Sequence, residues 1–167
     1  MTAHGSYVTV GDRPAVRFER RLSHPVEAVW HAVTRPEELA HWFPAAVEID
    51  GRRLRFTHAD GAAPPADGEI LDLEPPRRFA FTWGDERLEI ELEPDGEGCR
   101  LTFTHVLSTR EQAARDAAGW HVCLDRLRDR LAGDAAEAPG AGPTPEWREH
   151  YAEYERRGLP TGAPVPS

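Results

Sequence analysis

The sequence predicts an α+β fold in which a curved antiparallel sheet of about six to seven strands wraps one long C-terminal helix. Three observations carry this. Segments with two-residue hydrophobic alternation follow one another from Ala45 to Leu107 and are separated by hairpin-type turns. The period then becomes helical, with Ala113, Ala117, Trp120, Leu124, Leu127 and Leu131 recurring at threes and fours. Two short helical segments stand between the first strand and the rest.

Taken in order, "AVRFERRL" turns Val16, Phe18 and Leu22 to one side and Arg17, Glu19 and Arg21 to the other, as a half-buried strand does. Ser23 is a candidate N-cap, with Pro25 just inside the helix that follows. That helix carries an apolar stripe of Val26, Val29, Trp30 and Val33, and Pro36 ends it and opens "PEELAHWF". "AAVEI" and "RLRFTH" flank Asp50-Gly51, "GAAPPADG" is a loop, and "GEILDLEP" and "RRFAFTW" flank a Pro-Pro turn. Gly84-Asp85 and Asp95–Gly98 supply the next two turns.

The long helix has Ser108 or Thr109 as its cap and Gly133 as its stop. "DAAEAPGAGP" reads as a linker, and Thr144-Pro145 opens a last helix striped by Trp147, Tyr151 and Tyr154 and ended by Gly158. The expected organisation is an N-terminal segment 1–13, a main domain 14–133, a linker 134–143, an appended helix 144–158 and a disordered tail 159–167.

Alternation lists the inward residues: Leu54, Phe56 and His58; Phe79, Phe81 and Trp83; Leu88, Ile90 and Leu92; Leu101, Phe103 and His105. Trp120, Leu124 and Leu127 form the opposing wall. A helix laid over a curved sheet leaves room for a small molecule between them.

The chain has 167 residues and a net charge of -9, with twenty Arg and no Lys. No basic stripe suggests nucleic acid, no apolar run is long enough to span a membrane, and no signal-peptide pattern opens the chain, so a cytoplasmic location is expected. Cys99 and Cys123 lack ligand spacing and read as buried free thiols.

The motif "FERRLSHPVEAVWHAVTRPEELAHWF", Phe18 to Phe43, and "GWHVCLDRL" from Gly119 carry a resemblance. Over residues 14–133 the chain resembles the START-like helix-grip superfamily, and within it the group named after the C-terminal domain of the activator of heat-shock protein 90 ATPase. The resemblance implies the helix-grip fold. It also implies one of three roles: binding of a hydrophobic or aromatic small molecule, a cyclase- or hydrolase-like reaction in the same cavity, or a chaperone-ATPase-activator-like interaction module.

The candidate cavity residues are Trp42, Phe56, His58, Phe81, Trp83, Phe103, His105, Trp120, His121 and Leu124. His58, His105 and His121 are the candidate proton carriers if there is chemistry, although no spacing ties them together and no catalytic constellation is visible. No metal site and no cofactor are expected, because there is no His-Glu-x-x-His and no Cys pair at ligand spacing. Trp147, Tyr151 and Tyr154 dock either on the chain's own surface or across a homodimer.

Overall fold

The computed structural model describes residues 4–58, 64–134 and 144–165. Its elements are β1 (Ser6–Val10), β2 (Arg13–Leu22), α1 (Val26–Thr34), α2 (Pro36–Leu39), β3 (Ala46–Asp50), β4 (Arg53–Thr57), β5 (Ala66–Glu74), β6 (Arg78–Trp83), β7 (Glu86–Asp95), β8 (Gly98–Val106), α3 (Ala113–Leu131) and α4 (Pro145–Arg156). All neighbours in the eight-stranded sheet are antiparallel, in the order β1-β2-β8-β7-β6-β5-β4-β3. This is the α+β architecture that the patterning predicts and the helix-grip arrangement that the resemblance implies.

The strand that patterning does not assign is β1, whose residues are mostly exposed or half-buried and so lack a clean apolar face. It pairs with β2 from Ser6 opposite Arg17 to Val10 opposite Arg13. The helix start also differs from expectation. Pro25 and not Ser23 is the N-cap residue of α1, and it makes no side-chain cap.

At α3, Thr109 and Gln112 form a reciprocal capping box through a single 3-10 turn, Arg110–Gln112. Both α3 and α4 end in the same way. Gly133 and Gly158 adopt positive φ, and Asp134 and Leu159 donate back to the carbonyls of Asp129 and Tyr154.

One core joins the inner sheet face, α1, α3 and α4. Leu54, Phe56, Phe79, Phe81, Leu88, Ile90, Leu92, Leu101, Phe103 and His105 are all buried in it, as are Trp120, Leu124 and Leu127. His58 and Trp83 are half-buried. On the outer face Arg78 pairs with Asp72, Glu89 and Glu91, a solvated ladder of the kind that contributes little to stability.

α4 docks on α3 of its own chain, with Tyr154 fully buried and Trp147 stacked on Tyr151 at 5.0 Å. Composition suggested a disordered tail after Gly158, yet residues 159–165 lie against the start of α3. Ala114 donates to the Pro160 carbonyl at 3.0 Å, Ala163 to that of Glu111 at 3.2 Å, and the Arg115 guanidinium to that of Pro164 at 3.2 Å. Most of the expected linker, 135–143, lies outside the described residues, as does 59–63 in the expected loop.

Candidate functional site

β4, β6 and β8 all finish at the end of the sheet where α3 begins, and there the alternating aromatic residues meet. Phe56 stacks on Trp83 with ring centroids 4.5 Å apart and planes 15° apart. Phe43 stacks on Trp83 at 5.4 Å and tilts against Trp120 at 5.5 Å. Phe81 lies 5.8 Å from Phe56, and Phe103 lies 4.6 Å from Trp120. Each such pair contributes about 0.5–1.5 kcal/mol beyond burial, so the wall is stiff. It is also closely packed beneath: a Cβ on Gly68 of β5 would stand 2.9 Å from the Phe56 ring and 2.0 Å from the Thr82 carbonyl oxygen, so only glycine fits there.

The two half-buried members of the stack are Trp83 and His58, whose rings lie 6.2 Å apart. The His58 Nδ1 atom is enclosed and has no hydrogen-bond partner among the described residues. An enclosed polar atom without a partner costs about 1–3 kcal/mol.

Beside the aromatic wall lies a hydrogen-bonded couple. The Trp120 indole N–H donates to His105 Nδ1 at 2.8 Å, and His105 Nε2 meets Glu86 Oε1 at 2.5 Å. An indole nitrogen only donates, so Nδ1 must accept and the ring proton sits on Nε2, facing the carboxylate. The other Glu86 oxygen accepts from Ser108 at 3.0 Å and Gln112 at 2.9 Å. Burial would raise the Glu86 carboxyl, but the hydrogen bonds from His105, Gln112 and Ser108 outweigh it and bring it down to about 2.

Trp42 packs edge-on against Phe43, its ring centroid 5.6 Å away. It is fully buried and donates to the Ala32 carbonyl at 2.9 Å, locking α1 to the segment after α2. Leu124 is core.

His121 also lies elsewhere, because neighbours on a helix point about 100° apart. Trp120 faces the sheet and His121 faces α4. There Nδ1 meets the Tyr154 hydroxyl at 2.8 Å, which also accepts from the Gly5 backbone N–H at 2.7 Å. The His150 ring stacks on His121 at 3.8 Å, and His4 packs edge-on at 5.1 Å. Asp125, buried and paired with Arg20 at 2.8 Å, turns its other oxygen to His121 Nε2 at 3.8 Å. Burial, with His150, Arg20 and His4, pushes His121 down to about 3. Burial pushes the Tyr154 hydroxyl up to about 12, and it also pushes up the free thiols Cys99 and Cys123.

The structure therefore gathers Phe56, His58, Phe81, Trp83, Phe103, His105 and Trp120 at one end, joins Trp42 to them through Phe43, and leaves His121 and Leu124 outside that group. Sequence reasoning did not single out Glu86, Gln112, Asp125 or His150. Glu86 had a signal, since the Gly84-Asp85 hairpin sets it opposite Trp83. The His121–Asp125 spacing of four was a second one.

Residues 23–132 match the family described as activator of Hsp90 ATPase homolog 1-like protein. The chain belongs to this family. Among solved structures it is similar to CalU16 from Micromonospora echinospora, with 25% identity, a TM-score of 0.73 and coverage of 94% of this chain and 96% of that one. The BPP1335 protein of Bordetella parapertussis is 31% identical, with a TM-score of 0.66 and coverage of 94% and 91%. DynU16, described as a protein of the dynemicin biosynthetic locus, is 28% identical at a TM-score of 0.65, with coverage of 74% and 49%. A phosphoglucosamine mutase of Cereibacter sphaeroides is 31% identical over 91 residues, which are 53% of this chain but only 18% of the mutase. No helix among the described residues is long and apolar enough to cross a membrane.

Proposed function

We propose that this protein binds a hydrophobic or aromatic small molecule between its sheet and α3, at the end walled by Phe43, Phe56, Trp83 and Trp120. The observation that carries this reading is the enclosed His58 Nδ1 without a partner among the described residues, set beside a stack of aromatic faces. Flat apolar walls favour a flat apolar ligand, and one unsatisfied ring nitrogen favours a ligand with a polar group at its edge. The relationship to DynU16, a protein of a biosynthetic locus, agrees with a small molecule as occupant.

A cyclase- or hydrolase-like reaction needs an imidazole with a nitrogen to spare, and of the three candidate proton carriers His58 is the one whose Nδ1 lacks a partner among the described residues. His105 has both nitrogens engaged, by Trp120 and by Glu86, and this suits it to holding the Trp120 ring in place.

Native mass spectrometry of gently purified protein, followed by titration with a panel of fatty acids, sterols and aromatic polyketides, tests the binding reading. A discrete added mass that is lost on denaturation and weakened by Trp83→Ala is the expected result. A clean apo mass with no shift across the panel would overturn it. The same spectrum reads the oligomeric state.

A further inference from the structure

We propose that His121, Asp125 and His150 form a binding site for a divalent transition-metal ion of the zinc class, which fastens the appended helix α4 to α3. Each of the three offers a ligand atom within 4.8 Å of the other two. His121 and Asp125 share one face of α3, four residues apart, and His150 comes from α4. Zinc bonds to nitrogen and oxygen of roughly 2.0–2.2 Å set neighbouring ligand atoms about 3.3–3.6 Å apart in a tetrahedron. The 3.8 Å between His121 Nε2 and Asp125 Oδ2 is already close to that. His150 must turn to ligate, since its half-buried ring lies stacked on His121 at 24°. Two imidazoles and one carboxylate suit zinc, nickel or copper better than magnesium or calcium.

The surroundings are those of a metal's supporting shell. Tyr154 sits on His121 Nδ1, and Arg20 holds one Asp125 oxygen while the other faces His121. Arg20 and Arg128 lie near Asp125, and their charge opposes a cation, so the affinity should fall below that of a structural zinc.

Glu86, His105 and Asp116 are spaced equally well. They differ in one decisive respect. Trp120 can only donate to His105 Nδ1, which forces the proton onto Nε2 and denies that nitrogen to a metal. The Tyr154 hydroxyl, which already accepts from Gly5, can accept as well as donate, so it does not by itself force the His121 proton onto Nε2.

The test titrates the full chain, stripped with a chelator, with Zn²⁺ by calorimetry and with Co²⁺ by visible absorption. Expected are one saturable equivalent at micromolar concentration, Co²⁺ bands of nitrogen–oxygen coordination, and affinity weakened at least about tenfold by His150→Ala but unchanged by Asp116→Asn. His150→Gln, which keeps a polar side chain of similar length, serves as a second variant and is expected to behave like His150→Ala. Absence of saturable binding would overturn the proposal, and so would binding that survives both His150 variants. Loss on Asp116→Asn would move the site to His105 and equally sink it. None of these outcomes depends on whether the aromatic end of the molecule holds a ligand.

Discussion

His105 and His121 are both buried, one on β8 facing α3 and one on α3 itself, and both bond through Nδ1 to an aromatic side chain, Trp120 in one case and Tyr154 in the other. The chemistry of those partners separates them. The indole fixes one tautomer of His105 and directs its proton to Glu86, which makes the open end of the sheet a set of locked groups. The phenol can donate or accept and so does not by itself fix the tautomer of His121, which lies in a seam of several imidazoles with one carboxylate. Two regions with similar residue types thus differ in what they can bind, and the difference lies in a single donor-only side chain.

The comparison can be broken most forcefully at Trp120. Trp120→Ala removes a large core ring and leaves His105 Nδ1 without its donor, and the expected loss is about 3–5 kcal/mol in urea denaturation. A cost below about 1 kcal/mol would mean that the ring is not the keystone of that end.

Acid titration separates the two regions next. The folded value of His121, about 3, lies below the ordinary 6.5, so the unfolded chain takes up that proton first. Stability is then full above about pH 6.5 and is lost as pH falls toward 3, at up to about 1.4 kcal/mol per pH unit. Glu86 has the same sign in a lower window, from its ordinary 4.5 down to about 2. Denaturation midpoints measured across this range should decline in two stages, and His121→Gln should flatten only the upper one.

Glu86→Gln sharpens the contrast further. It keeps the shape but removes the charge that receives the His105 proton, with an expected cost of about 1–3 kcal/mol. Nitrogen NMR of the imidazoles should show His105 changed and His121 unmoved. The smallest effect is expected from Tyr154→Phe, about 1 kcal/mol, read in the same denaturation series. It removes the hydroxyl shared by Gly5 and His121 and leaves the packing of α4 intact.

Several of these features were legible from the order of residues. The alternation that turned Phe56, Phe81 and Phe103 inward is enforced by the two-residue period of a strand, and one buried face fixes the register. The apolar stripe from Ala113 to Leu131 and the glycine stops after it are local rules of helices. β1 escaped because an edge strand with no buried side chain to spare carries no periodic signal.

The sequence by itself determined the grip, since strand period, turn chemistry and helix caps are set by near neighbours along the chain. It also determined which residues face the core. Only the tertiary structure decided which histidine meets which partner. Glu86 reaches His105 across 19 residues, and Tyr154 reaches His121 across 33. Contacts over such separations follow from how α3 and α4 settle on the sheet, and spacing along the chain does not encode whether the group that arrives is an indole or a phenol.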